Sequence, residues 1–288
     1  MTTSDIILDE EPQWTYNEKR MLKYMLEQDG MQFMRYFFKI REDSKMICNW
    51  HHYVIEYVLQ AVYDLKVTRL IINIAPGYTK TEQAVLNFIC RGLALNPRSK
   101  YIHTSYAGKL VNTNSAKIRQ TIKSAEYQEL WPMKIRIDAD SKGEWYTDQG
   151  GGILAAAAGG QITGFRAGRM DEGIFTGAFV NDDPVKPKDA YSIVKRSTVN
   201  NDFNNTMRSR LAIESVPMVN IMQRIHEDDL SGYLLKGGSG DMWHHLTIPT
   251  NLTEEVLNKP YSEDYTHGIP ISINGILKAM HTGQSYDF

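Results

Sequence analysis

Residues 69–82, RLIINIAPGYTKTE, constrain the chain more than any other stretch. The run of Leu and Ile without polar alternation is the pattern of a parallel strand covered on both faces. Pro76-Gly77 breaks that strand, and from Thr79 to Arg91 apolar residues return at helical spacing, with Val85, Phe88 and Ile89 on one side. A strand that passes through a tight turn into a helix N-terminus points several backbone N–H groups at one spot, where a lysine can neutralise phosphate. Pro76, Gly77, Tyr78, Thr79, Lys80, Thr81 and Glu82 are therefore the candidate triphosphate-binding residues. The familiar pattern G-x-x-x-x-G-K-[ST] is not met, because Ile74 and Thr79 stand at its two glycine positions and only Gly77 lies inside the loop. Lys80-Thr81 alone also fits an ordinary strand-turn-helix, so the assignment must come from the rest of the chain.

At 288 residues the chain can hold one large α/β domain or two small ones. Its 42% hydrophobic and 23% charged content is that of a soluble globular protein, and a net charge of −2 leaves any nucleic-acid contact to local patches. Cys48 and Cys90 sit in apolar helical contexts without C-x-x-C spacing, which fits buried thiols in a reducing compartment. The acidic start MTTSDIILDEEPQW has no apolar centre and is not a signal peptide, and no run is long enough to span a membrane. There is no internal repeat.

The pattern divides the chain into a flexible acidic lead-in over residues 1–15, one α/β unit over 16–250, and a linker or tail over 251–288. Within the unit, helical spacing covers Tyr16 to Ile40, split at Gly30, and Trp50 to Leu65, with Val54, Val58, Val62 and Leu65 as one stripe. Lys100–Tyr106 alternates as a second strand, and Lys109 to Leu130 is an amphipathic helix that is basic through Lys117, Arg119 and Lys123. Trp145–Thr147 and Gly152–Ala158 suggest a hairpin, and Gly159 to Gly168 a mobile glycine-rich loop. Ala178–Asn181 and Met218–Met222 are further buried strands, with helical segments from Asp189 to Arg210 between them. Strands alternating with helices predict a mostly parallel central sheet covered on both faces.

Asp182-Asp183, at the tip of the Ala178 strand, is the second chemical signal. The first carboxylate at such a tip holds Mg²⁺, directly or through water, while its neighbour orients or deprotonates an attacking water. Parallel strands end on one side, so this pair and Lys80 are expected on one sheet edge. A solvated acidic turn closed by Pro184 is the plain alternative. Gln223, just past the Met218 strand, is a third candidate. His226-Glu227-Asp228-Asp229 is not a metal cluster, because its spacing is wrong and acids at a helix start serve the helix dipole.

These sites, in this order, resemble the ATPase domain of the large terminase subunit of tailed bacteriophages. The resemblance runs from Trp50 to Leu235 and is carried by WHHYVIEYVLQ, APGYTKTE, YIHTSYAGKLVNTNSAKIRQTIKSAEYQELWP, GGQITGFRAGR, NDDPVKP and MQRIHEDDL. It implies a P-loop NTPase of the additional-strand (ASCE) type that uses ATP and Mg²⁺ to pump double-stranded DNA into a procapsid in the host cytoplasm. It further implies a ring of copies, with the small terminase subunit and the portal protein as partners. Lys80 would contact the β- and γ-phosphates, Thr81 and Asp182 would hold Mg²⁺, and Asp183 would take the catalytic carboxylate role commonly filled by Glu. Gln223 would lie in the motif coupling phosphate state to DNA grip.

Two positions depart from the family. Many members carry an arginine where this chain has Gly77, and a glycine where it has Thr79. Charge compensation would then come from elsewhere: Arg169, with Arg166 second, as an arginine finger reaching a neighbouring subunit, or else both arginines touch DNA or solvate the loop. Lys117, Arg119 and Lys123 either meet DNA phosphate or form a solvated face. Trp50 reads as core, and His52 stays open between core and a flank for the adenine ring. The family's nuclease domain, with its clustered carboxylates, has no counterpart after Thr250, so DNA cleavage is not expected. A helicase-like translocase, a small-molecule kinase and a non-hydrolysing nucleotide-binding scaffold are the alternative readings.

Overall fold

The computed structural model describes residues 15–288 apart from Lys142, Gln161 and Thr163; the acidic lead-in and part of the glycine-rich loop lie outside the described residues. Three helices come first: α1 (Tyr16–Gln28), α2 (Gly30–Glu42) and α3 (Trp50–Tyr63). Thr15 and Glu18 close a capping box on α1, and the Asp29 carboxylate caps α2 by accepting from the N–H groups of Met31 and Gln32. The split predicted at Gly30 thus falls on the cap just before it. β1 (Arg69–Ile74) is buried along its whole length, as its apolar run requires. It leads through the loop into a π-helical turn (Glu82–Asn87) continued by α4 (Phe88–Leu95). Then come β2 (Lys100–Ser105), α5 (Gly108–Lys123), α6 (Ala125–Leu130), β3 (Ile135–Asp140), β4 (Glu144–Thr147), β5 (Gly152–Ala157) and β6 (Phe179–Asp182). The chain continues with α7 (Ile193–Asp202), β7 (Met218–Met222), α8 (Leu230–Leu235), β8 (Trp243–Ile248), α9 (Glu254–Leu257), β9 (Gly268–Pro270) and α10 (Ile273–Thr282).

The strands form one nine-stranded sheet in the order β3-β4-β5-β2-β6-β7-β1-β8-β9. β4 runs antiparallel to β3 and β5, and every other neighbouring pair is parallel. β7 is hydrogen-bonded between β1 and β6, so one strand separates the strand that leads into the loop from the strand that ends at Asp182. Leu70, Ile72, Val180, Val219 and Ile221 face one core, built with α2, α3, α4 and α5. Ile71, Ile102, Phe179 and Met218 face a second, closed by Phe203, Leu230, Leu234 and Trp243. Helices therefore cover both faces, as a buried parallel sheet demands.

Residues 251–288 do not trail away from this unit. β9 pairs with β8, Ile271, Ile273 and Ile276 enter the first core, and Phe288 packs 6.1 Å from Tyr57, ring to ring. β3, β8 and β9 carry too few residues, or too mixed a pattern, to stand out in the sequence. In the glycine-rich loop, Ile162, Phe165 and Ala167 are buried in the second core.

Two buried histidines tie the sheet to its surroundings. The His103 Nδ1–H donates to the Val180 carbonyl at 3.3 Å, and its Nε2 accepts from Asn114 at 3.1 Å. The His245 Nε2–H donates to Asn73 at 2.8 Å, and its Nδ1 accepts from the Tyr261 hydroxyl at 3.0 Å. Burial pushes both down, His103 to about 4 and His245 to about 3. Their folded pKa lies below the unfolded value of about 6.5, so the stability they confer is complete above that pH and declines as pH falls toward 4. Each contributes a slope of up to about 1.4 kcal/mol per pH unit in that window. Thermal unfolding is expected to show a midpoint falling steeply below pH 6, with His103→Asn flattening the fall; a midpoint indifferent to pH between 6.5 and 4 would contradict it.

Candidate active site

The site forms where β1 and β6 end on one edge of the sheet. Gly77 at φ 84° and Thr79 at φ 55° are both left-handed, and they turn the loop back over the end of β1. Thr79 is a β-branched residue in a conformation that glycine would adopt without strain. Helical geometry begins at residue 80, so Lys80 and Thr81 occupy the helix's first turn. Among the described residues the backbone N–H groups of Gly77, Tyr78 and Thr79 meet no acceptor. A left-handed residue followed by a helical one makes the concave array of N–H groups that binds anions.

Across from the loop, Lys80 Nζ lies 2.8 and 2.6 Å from the two carboxylate oxygens of Asp183. The Thr81 hydroxyl donates to Asp182 Oδ2 at 2.6 Å. Asp183 is itself left-handed, at φ 45°, which swings its side chain off the line of β6. Its backbone is held by N–H donation to the Ile221 carbonyl at 3.0 Å and by acceptance from Tyr106 N–H at 3.0 Å. The Gln223 backbone N–H donates to Asp183 Oδ1 at 3.1 Å, so the end of β7 also touches the acid. The lysine, the threonine, both acids and Gln223 share one crevice.

Asp182 carries the clearest electrostatic signature. It is 5% exposed, and its Oδ1 has no hydrogen-bond partner among the described residues. Burial first and the neighbouring Asp183 second push it up to about 7, while the Thr81 hydroxyl and Lys80 pull the other way. A buried, under-satisfied carboxylate beside a second acid and a hydroxyl is a donor set that suits a hard divalent cation.

Other expected residues are placed differently. The Glu82 side chain turns from the crevice to a buried ion pair with Arg41 of α2 and accepts from Asn87 at 2.7 Å. Arg41 also donates to Thr121 of α5 at 3.1 Å. Arg169 pairs with Asp171 at 3.3 Å, and its neighbour Gly168 bonds to the Lys100 carbonyl at the start of β2. Ser105, at the far end of β2, is the residue that pairs with Asp182, so a strand's length of roughly 17 Å separates that region from the acids. Arg169 therefore lies away from this chain's own acids, and Arg166 is exposed. On α5, Lys117 pairs with Glu42 at 3.1 Å, Arg119 is partly buried and Lys123 is exposed. Among the described residues no group of three or more His, Cys, Asp or Glu is placed to hold a metal ion, which includes His226–Asp229. No described helix is long and apolar enough to cross a membrane.

The sequence left the support of the loop unread. His52 Nε2 lies 2.7 Å from the Thr79 hydroxyl, and Gln83 donates to the His52 carbonyl at 2.7 Å. The His51 ring stacks on His52 at 3.9 Å and meets Tyr78 edge-on at 5.2 Å. Trp50 is partly buried against the first core, as expected.

No family model matches the chain, and no curated protein matches it either. Among solved structures the chain is similar to the crystal structure of the HK97 bacteriophage large terminase, at 15% identity and a TM-score of 0.46, over 88% of this chain and 52% of that one. The chain spans about half the length of that terminase.

Proposed function

We propose that the chain is a Mg²⁺-dependent ATPase that drives double-stranded DNA into a viral procapsid. The observation that carries the catalytic part is the double contact of residues 80 and 81 with residues 183 and 182, which joins a lysine, a hydroxyl and two acids at the end of the loop. The packaging part rests on the sequence motifs that resemble phage terminases.

Each side chain has a task that its surroundings explain. Loop N–H groups and Lys80 bind the β- and γ-phosphates. At rest Lys80 is held by Asp183, so phosphate binding draws the ammonium away and frees that carboxylate to accept a proton from water. Asp182 and Thr81 would hold Mg²⁺, which when bound neutralises charge on the phosphate oxygens. Gln223, bonded through its backbone to Asp183, registers the change at the acid. An arginine finger acting on this site would come from another copy of the chain. Double-stranded DNA, the small terminase subunit and the portal are the partners this reading requires.

The test is ATP turnover with Mg²⁺ and linear duplex DNA, comparing the parent with Lys80→Ala. The parent is expected to hydrolyse ATP, and Lys80→Ala to lose at least about 100-fold, since it removes both phosphate binding and charge stabilisation. Nucleotide binding without turnover, at high protein concentration and with DNA present, would favour a scaffold. Strand separation during turnover would favour a helicase.

A further inference from the structure

The chain places a threonine where left-handed backbone geometry favours glycine. Thr79 at φ 55° combines a positive φ with a β-branched side chain, a state that persists only when its surroundings over-determine it. The hydroxyl of Thr79 donates to the Tyr78 carbonyl at 2.7 Å, so it is left to accept at His52. His52 can supply that proton in one neutral tautomer only. Its Nδ1 lies 2.9 Å from the Asn49 N–H and 3.3 Å from the Asn49 carbonyl; the shorter contact makes Nδ1 the acceptor and assigns the hydrogen to Nε2, facing Thr79. Burial holds His52 below the usual imidazole range, consistent with the neutral ring.

The histidine is fixed in turn. Asn49 and His52 form a reciprocal cap at the start of α3, and the Gln83 amide, inside the π-helical turn, donates to the His52 carbonyl. Val54, Ile55 and Val58 bury α3 in the first core, so the ring is presented from a rigid element. The loop is therefore gripped from α3 at its strained residue, and again one turn later at Gln83.

We propose that His52 is a positioning residue for the triphosphate site, its Nε2–H pinning Thr79 in the left-handed conformation that a glycine would otherwise supply. This rests on the reading of residues 76–81 as the phosphate loop. A pinned Thr79 keeps the loop in its left-handed turn, the backbone form whose successive N–H groups can bind an anion. Without the pin, Thr79 relaxes toward negative φ and the array opens.

The test is a double-mutant cycle with His52→Ala and Thr79→Gly in the full chain. Binding of Mg²⁺ with a fluorescent ATP analogue is read by titration, and exchange of the loop amides by hydrogen–deuterium mass spectrometry without nucleotide. His52→Ala is expected to weaken binding about tenfold and to speed exchange over 76–81. With Thr79→Gly in place, the same His52→Ala change should cost less than about threefold in affinity. His52→Gln, which can still donate an N–H, should recover part of the loss in the Thr79 background. Equal and additive losses in the two backgrounds, or loop exchange unchanged by His52→Ala, would overturn the pin. If the parent binds no nucleotide, the phosphate-site reading fails, and the exchange comparison alone still decides the role of His52.

Discussion

Asp183→Asn is expected to lower ATP turnover by about three orders of magnitude while nucleotide binding survives. The carboxylate is the group placed to accept a proton from water, and a positioned general base contributes roughly 10²- to 10⁴-fold. An amide of the same shape keeps contact with the Gln223 N–H through its oxygen but carries no charge for Lys80. Phosphate then no longer competes with an ion pair for the lysine, so affinity for MgATP should hold or rise. Single-turnover hydrolysis, measured beside titration with a fluorescent nucleotide, separates the two. Parallel loss of binding and turnover would give Asp183 a structural role in shaping the crevice instead.

The second large effect concerns stability. Arg41→Met is expected to destabilise the fold by about 3–5 kcal/mol, the range found when one partner of a buried ion pair is removed. The side chain of Arg41 is 4% exposed and that of Glu82 12%, so the abandoned carboxylate has little solvent to turn to. For a chain of this size the loss corresponds to roughly 10 °C in melting temperature. Arg41→Met/Glu82→Leu should recover most of it, because burying two apolar groups costs less than stranding one charge. Chemical denaturation of the three variants checks this, and a single variant as stable as the parent would show that the pair contributes nothing. Thr81 lies next to Glu82, so the single variant should also weaken Mg²⁺-dependent nucleotide binding.

Much of this was legible in the sequence, for identifiable reasons. β1 and β7 announce themselves as unbroken apolar runs, since strands buried on both faces need no polar alternation. Lys80, Thr81, Asp182 and Asp183 could be placed on one edge because parallel strands all end on the same side, and the structure puts them in direct contact. The contacts made by Glu82 and His52 could not be read. Arg41 lies 41 positions from Glu82, and His52 lies 27 from Thr79, and no local periodicity reports a meeting between helices and a loop. The sequence gives Arg169 no position relative to the acids; that follows from Gly168 bonding to the start of β2, which sets Arg169 away from this chain's own pair and leaves a role toward a neighbouring copy open to test. β9 carries little pattern because it is three residues long, whereas α10 does show apolar residues at helical spacing in Ile273, Ile276 and Leu277, hidden by the Asn, Pro and Gly scattered before it.

The place of β7 has a consequence for the dimensions of the crevice. With one strand between them, the ends of β1 and β6 stand two ladder spacings apart, close to 10 Å, a width set by peptide hydrogen bonds and not by any side chain. Backbone thus gauges the gap that a lysine arm must bridge. Residues along the loop can be exchanged, glycine for threonine among them, without altering that gauge.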